Sequence, residues 1–96
     1  MVFGWDPKKA ATNADKHDVS FEEAKTAFAD PDGLDGEDLA HSDMEPRRVR
    51  LAKASSGRLL VIAYTKRRGE DEEITRIISA RRASRRERST YERSAN

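Results

Sequence analysis

The chain has 96 residues, of which 39% are charged, so it has room for a single domain with one modest hydrophobic core. It contains no cysteine, which excludes disulfides and thiolate metal sites, and its longest unbroken apolar segment, residues 59–64, is far too short to span a membrane. The net charge of +1 conceals a division, because residues 1–46 carry 4 basic and 12 acidic side chains whereas residues 47–96 carry 15 and 6. This division indicates separate surfaces for separate partners, and we expect one cytoplasmic domain over residues 1–96 with no membrane contact.

The N-terminal half predicts a short strand followed by two helices. Residues 2–5 can form the strand, and an Asp-Pro pair suits the N-cap and first position of a helix over residues 7–17. A Ser-x-x-Glu capping box begins a second helix over residues 21–29. Residues 30–45 contain seven carboxylates and no lysine or arginine, which is typical of an exposed acidic loop, with a short edge strand near Leu34.

The C-terminal half begins with three predicted strands. Apolar and basic residues alternate around Val49 and Leu51, which is the period of a half-buried strand. Residues 59–64 are apolar throughout, as expected of a central strand that is covered on both faces. A polar connection over residues 65–71 then leads to the last strand, over residues 74–79.

A final helix should begin near residue 85, because Ser84 and Glu87 form a second capping box. This helix is polar almost all round, with Tyr91 as its one large apolar residue, so we expect it to be solvated or to dock on something outside the monomer. The order of elements predicts an α+β fold: an antiparallel sheet with two N-terminal helices and a basic C-terminal helix.

Four blocks of the sequence resemble the BrnT family of toxins. The first block is Trp5-Asp6-Pro7, followed by Lys9, Asn13, Lys16-His17 and Val19-Ser20-Phe21-Glu22-Glu23-Ala24. The second block is His41-Ser42, Glu45 and Arg47, and the third is Gly57-Arg58-Leu59-Leu60-Val61. The fourth block is Arg76-Ile77-Ile78-Ser79-Ala80-Arg81 with Glu87-Arg88 and Tyr91. Together the blocks cover nearly the whole chain in the order and spacing of the family.

The resemblance implies a RelE-like fold and a ribonuclease toxin of a type II toxin–antitoxin system, which cuts mRNA and inhibits translation. It implies a BrnA-like ribbon-helix-helix antitoxin as partner, with operator DNA bound only through that antitoxin. Two positions depart from the family pattern. Asp18 stands where Gly is usual, and Asp tolerates the left-handed conformation better than most residues. Ala52-Lys53 stands where Gly-Arg is common, and Lys keeps the charge but loses the bidentate fork.

For the RNA cleavage that the resemblance implies, the residue types favour a site of arginine and lysine side chains, with neither a metal nor another cofactor. The two histidines are far apart and the acids lie mainly in the loop, so the sequence predicts no metal site. Metal-free cleavage uses the ribose 2′-OH as nucleophile, and preorganised cations stabilise the charge on the phosphate. Arg81, at the end of the last strand, is the first choice for this contact. Arg76 has the opposite parity, so it either faces the same site through a bulge or closes the core with an ion pair.

The remaining catalytic candidates come from the middle of the chain. Arg47 and Lys53 share a parity with Val49, so they either line the site or are ordinary strand-end charges. His41 has a suitable intrinsic pKa for moving the proton, and Glu45 is a second candidate base. Both are loop residues, for which plain solvation is the alternative reading.

A separate set of residues is assigned to binding the RNA backbone or the antitoxin. The set consists of Arg58, Arg82, Arg85, Arg86 and Arg88. Tyr91 can stack on a base or pack its helix against the fold. Two other functions stay open: a non-catalytic module that binds RNA or docks the antitoxin, and a purely structural partner.

Overall fold

The computed structural model describes residues 1–39 and 46–95. Its five strands are β1 (Val2–Gly4), β2 (Leu34–Glu37), β3 (Arg48–Lys53), β4 (Leu59–Arg68) and β5 (Glu73–Arg82). Its helices are α1 (Pro7–His17), α2 (Phe21–Thr26), which continues as a short 3₁₀ turn (Ala27–Ala29), and α3 (Arg85–Ala95). The predicted α+β class is confirmed, and none of the described helices is long and apolar enough to span a bilayer.

The strands form one mixed sheet in the order β1-β5-β4-β3-β2. Strands β2 to β5 pair as an antiparallel meander, and β2 is an edge strand at the position predicted near Leu34. Strand β1 pairs with β5 in parallel, so the prediction of a purely antiparallel sheet was wrong. The meander leaves an edge of β5 free, and a short strand can join such an edge in either direction.

The caps that the sequence predicted begin the first two helices. Asp6 accepts a hydrogen bond from the backbone N–H of Lys8 (2.9 Å), and the Ser20 hydroxyl accepts one from Glu23 (3.0 Å). Asp18 ends α1 in the left-handed conformation with a φ of 57°, as its position predicted. The second helix is shorter than predicted because its last turn tightens to a 3₁₀ turn.

Helices α1 and α2 cover one face of the sheet, which we call the α1–α2 face. Phe21 and Ala24 of α2 pack there against Ile62, Ile77 and other apolar side chains of the sheet. Each fully buried large apolar side chain contributes about 1.5–3 kcal/mol to this core. The central strand β4 is buried on both faces over its apolar part, as predicted.

Two strands are longer than predicted. Polar residues that were assigned to a connection belong to β4, which continues to Arg68, and β5 begins already at Glu73. Cross-strand pairing explains this extension, since Lys66 and Glu73 form an ion pair (3.4 Å).

Helix α3 docks on the sheet of its own chain, whereas we expected a solvated helix or one that binds outside the monomer. Tyr91 is only 6% exposed, and its hydroxyl donates a hydrogen bond to Asp30 Oδ2 (2.6 Å). A buried aromatic residue with a polar handle thus helps to dock a helix that is otherwise polar.

Candidate active site

The second face of the sheet, which we call the α3 face, carries the odd-numbered residues of β3 and β4. In the central row Val49 pairs with Ala63, which pairs with Ser79 of β5. In the next row Leu51, Val61 and Arg81 lie side by side. Helix α3 reaches this face near Lys53, whose Nζ lies 6.0 Å from the centre of the Tyr91 ring.

A β-bulge brings Arg76 and Arg81 to the same face. Ala63 pairs with Ser79 but the next residue, Tyr64, pairs with Ile77, so Ile78 is an extra residue in β5. The alternation of side chains therefore shifts by one residue, and Arg76 pairs with Thr65 on the α3 face. Such a bulge was the condition for Arg76 and Arg81 to face one site.

Arg47 and Lys53 lie towards opposite ends of the α3 face. Arg47 directly precedes β3 and continues its alternation, and its carbonyl accepts a hydrogen bond from the backbone N–H of Asp38 (2.8 Å). Lys53 follows Arg47 by six residue steps along the strand, which is a distance of about 20 Å. The four predicted cations therefore share a face but cannot all contact one phosphate, so they suit successive phosphates of a strand.

A buried polar atom lies on the α3 face, between Arg76 and the start of β3. Thr65 is 1% exposed, and its Oγ1 has no hydrogen-bond partner among the residues that the structure describes. Thr65 of β4 pairs with Arg76 of β5. It directly follows Tyr64, which pairs with Arg48 of β3 on the other side.

Arg81 is held by a carboxylate. Its Nη1 and Nη2 donate to the two carboxylate oxygens of Glu87, each at 2.8 Å. The Arg81 guanidinium lowers the pKa of Glu87 to about 2, and the same contact raises the pKa of Arg81. Glu87 also accepts the backbone N–H of Ser84 (2.8 Å) as part of the predicted capping box. The start of α3 thus fixes the direction of the guanidinium. Nη1 also donates to the carbonyl of Arg82 (3.3 Å), and among the described residues Nε and one N–H of Nη2 have no partner.

Two arginines of the predicted RNA-binding set lie towards the opposite face. Arg58 donates through Nε (2.8 Å) and Nη2 to the carboxylate of Glu23, and this contact lowers the pKa of Glu23. Arg82 donates to Asp18 Oδ2 (2.9 Å). The Asp that replaces the usual Gly of the family therefore forms an ion pair that Gly could not form.

The other members of the binding set belong to α3. Arg85 and Arg86 are exposed in its first turn. Tyr91 is 6% exposed and packs its helix against the fold, which was the alternative to stacking on a base. Hydrogen bonding to Asp30 raises the pKa of Tyr91 to about 12. The proton-transfer candidates His41 and Glu45 lie outside the described residues.

The sequence reasoning assigned no function to a second cationic region, which the structure places beside β5. Lys8, Lys9, Lys16 and His17 of α1 line a groove together with Ser79 of the α3 face. Their separation by seven and eight residues was a signal in the sequence, because two helical turns bring side chains back to the same side of a helix. Within residues 1–39 and 46–95, no group of three or more His, Cys, Asp or Glu residues is placed to hold a metal ion.

Comparison with known proteins identifies the family. A family model described as "Ribonuclease toxin, BrnT, of type II toxin-antitoxin system" matches residues 5–87. The chain belongs to the BrnT family. The resemblance that the four sequence blocks carried is thereby confirmed, and with it a ribonuclease toxin of a type II toxin–antitoxin system.

A solved structure of a BrnT protein has the same fold. The 1.1 Å crystal structure of the Brucella abortus ribonuclease toxin BrnT superimposes with a TM-score of 0.60, over 88% of this chain and 100% of that chain. The sequence identity is 18%, so this similarity concerns the fold alone. No curated protein matches the chain by sequence.

Proposed function

We propose that this BrnT-family chain is a metal-independent endoribonuclease that cuts mRNA on its α3 face and so inhibits translation. The observation that carries the proposal is the bulge at Ile78, which turns Arg76 to the face of Arg81. A bulge that re-aims a side chain next to a site is a recurring feature of functional sheets.

The proposed reaction uses the RNA as its own nucleophile. The ribose 2′-oxygen loses its proton and bonds to the neighbouring phosphorus, the bond from phosphorus to the 5′-oxygen breaks, and that oxygen takes up a proton. The products are a 2′,3′-cyclic phosphate and a 5′-hydroxyl. Arg81 stabilises the extra negative charge on the phosphate, because a preorganised cation needs no rearrangement as that charge develops.

The other cations position the strand in this proposal. Arg76, Arg47 and Lys53 are spread over a distance that exceeds the size of one phosphate, so they contact the flanking phosphates of the backbone. Arg85 and Arg86 extend the basic surface along α3. Since Arg58 is held by Glu23 and Tyr91 is buried, they support the fold. His41 and Glu45 are the proposed proton-transfer groups.

The proposed partners follow from the same family. We infer a RelE-like fold and a cytoplasmic protein, and a BrnA-like ribbon-helix-helix antitoxin that neutralises the toxin and connects it to operator DNA. An antitoxin that covered the α3 face would block the RNA directly. Charge supports this, since the cations of this face attract an acidic protein segment as well as a phosphate.

The test is cleavage of a defined RNA by purified, antitoxin-free protein in excess chelator. Wild type should cleave, and Arg81→Ala should cleave at least tenfold more slowly, a barrier change of about 1.4 kcal/mol. Arg68→Ala is the matched control, because Arg68 is an exposed arginine with the parity of the α1–α2 face, and it should cleave like wild type. Loss of wild-type cleavage in chelator would refute the metal-independent mechanism, and full activity of Arg81→Ala would refute the role of Arg81.

A second candidate function is a non-catalytic module that binds RNA or docks the antitoxin. The observation that favours it is the pairing of Arg81 with Glu87, which neutralises the charge that catalysis would use. This function predicts RNA binding that weakens steeply with salt while no cleavage products form.

A further inference from the structure

A groove of about 310 Å³ lies between α1 and the edge of β5, and we call it the α1–β5 groove. It is lined by Lys8, Lys9, Thr12, Asn13, Lys16, His17, Ile78 and Ser79. Among the residues that the structure describes, no carboxylate side chain belongs to this lining. Three lysines that line one groove create a local positive potential, which favours an anionic ligand.

Asn13 fixes the position of α1 at this edge. Strand β1 pairs with β5 only as far as Arg76, so no strand among the described residues pairs with the rest of that edge. The Asn13 amide takes the place of a partner: Nδ2 donates to the carbonyl of Ala80 (2.9 Å), and Oδ1 accepts from the N–H of Ala80 (3.1 Å). Nδ2 also donates to the carbonyl of Val19 (3.0 Å), and Asn13 is 6% exposed. The groove therefore has a rigid wall.

The cations of the groove are arranged around this anchor. Lys9 and His17 lie one turn before and one turn after Asn13, and Lys8 and Lys16 form the neighbouring row. From Lys8 to Lys16 the helix rises by about 12 Å. The ammonium groups of these three lysines, Lys8, Lys9 and Lys16, form no ion pair with the residues that the structure describes. Their charges are thus available to a long polyanion.

The groove opens onto the α3 face. Ser79 lines the groove and also belongs to the central row of the α3 face, in the stretch of β5 between Arg76 and Arg81. Ile78, the extra residue of the bulge, lines the groove as well. One strand can therefore contact the arginines of the α3 face and then the lysines of the groove without leaving the surface.

We propose that the α1–β5 groove binds the sugar–phosphate backbone of single-stranded RNA next to the phosphate held on the α3 face. The proposal rests on the proposed function insofar as RNA is the ligand. It assigns to Lys8, Lys9 and Lys16 a role in affinity, because they lie outside the reacting centre. Backbone contacts of this kind position a strand without reading its sequence.

The test measures binding of a 2′-O-methyl RNA oligonucleotide, which lacks the nucleophile, at several salt concentrations. The groove variant is Lys8→Gln/Lys9→Gln/Lys16→Gln. The control variant, Lys25→Gln/Lys66→Gln/Arg68→Gln, removes the same charge from α2 and from positions of β4 with the parity of the α1–α2 face. All six side chains are exposed, so both variants should fold, and circular dichroism checks this.

The groove variant should bind roughly 10- to 100-fold more weakly at about 0.1 M salt, and the slope of log K against log salt should fall by about 2, since each phosphate contact on a single strand contributes about 0.7. The control variant should keep most of the wild-type affinity and slope. Equal losses in the two variants would overturn the proposal, because they would show a net-charge effect. Unchanged RNA binding by the groove variant together with weaker antitoxin binding would also overturn it and would assign the groove to the protein partner.

Kinetics separate this proposal from the proposed function. If the chain cleaves RNA, the groove variant should raise KM and leave kcat within about twofold, whereas Arg81→Ala lowers kcat. If the chain does not cleave RNA, the oligonucleotide binding still decides the proposal, since it requires no reaction.

Discussion

The two faces of the sheet use arginine in opposite ways. On the α1–α2 face, Arg50 is 8% exposed and every part of its guanidinium has a partner: Nε donates to the carbonyl of Ala27 (3.1 Å), Nη2 to that of Asp30 (2.7 Å), and Nη1 pairs with Asp35 (2.5 Å). On the α3 face, the side chain of Arg76 forms no hydrogen bond or ion pair with the residues that the structure describes. The acceptors around Arg50 thus give it a structural role, whereas the Arg76 guanidinium keeps its donors for the ligand that we propose.

The surroundings of Arg50 are shaped to fit it. Gly33 lies so close to the guanidinium that a Cβ at this position would overlap Nη2 and the central carbon of Arg50. The guanidinium also lies 5.4 Å from the centre of the Phe28 ring, within cation–π distance. Arg50 therefore joins the 3₁₀ turn, the start of the acidic segment and β3.

The largest expected effect comes from removing Arg50. Arg50→Met removes the donor to Asp35 Oδ2 and to two carbonyls, while Asp35 Oδ1 keeps only the Tyr64 hydroxyl (2.6 Å), so we expect a loss of about 3–5 kcal/mol in the free energy of unfolding. Urea denaturation measures it. Arg68→Ala, which removes an exposed arginine, should cost less than about 0.5 kcal/mol. A similar small loss in Arg50→Met would break the comparison between the faces.

The next effect concerns the docking of α3. Tyr91→Phe removes the hydrogen bond to the Asp30 carboxylate and should cost about 1.5–3 kcal/mol at pH 7, measured by thermal or urea unfolding. Because the pKa of Tyr91 is raised to about 12 in the folded state, this contribution is complete below pH 10 and is lost as the pH rises towards 12. A difference between wild type and Tyr91→Phe that stayed constant from pH 8 to 12 would contradict this assignment.

A third prediction sharpens the comparison by separating stability from activity. Arg76→Ala should reduce the rate of RNA cleavage about tenfold, which corresponds to about 1.4 kcal/mol. The free energy of unfolding should change by less than about 0.5 kcal/mol, because no described partner loses a contact. Parallel cleavage and urea measurements on one preparation test both parts. A destabilised Arg76→Ala variant would place Arg76 with Arg50 among the structural arginines.

The smallest effect concerns the pairing of Arg81 with Glu87. Glu87→Gln keeps a residue that suits the capping box but removes the carboxylate, so we expect a loss of about 0.5–1 kcal/mol at pH 7. The folded-state pKa of Glu87 is lowered to about 2, so its stabilising contribution is complete above the ordinary value of 4.5 and disappears as the pH falls to about 2. The stability difference between wild type and Glu87→Gln should follow this course in urea titrations.

Glu87→Gln also tests whether Glu87 positions Arg81 for RNA or holds its charge away from RNA. If Glu87 positions the guanidinium for RNA, cleavage should slow and Arg81→Ala should add little in the double variant. If Glu87 holds the charge away from RNA, cleavage should become faster. Either result tells whether the ion pair of Arg81 and Glu87 supports or restrains the function of this face.

Local sequence determined much of this protein. Caps at Asp6 and Ser20 begin their helices, Asp18 takes the left-handed position, and the apolar run of β4 is buried on both faces. These features depend on hydrogen bonds and periodicities within a few residues, which the sequence displays directly. The sequence also carries the resemblance to the BrnT family and the four candidate catalytic cations, Arg47, Lys53, Arg76 and Arg81, which lie on one face.

Tertiary structure decided the features that depend on pairing between distant segments. These are the parallel direction of β1, the extension of β4 and β5, the docking of Tyr91 on Asp30 and the wall that Asn13 builds at Ala80. The bulge at Ile78 is the most consequential of them, because one extra residue transfers Arg76 from one face to the other. Such strand registers depend on the packing of whole strands, so the residue type at position 78 does not predict the bulge.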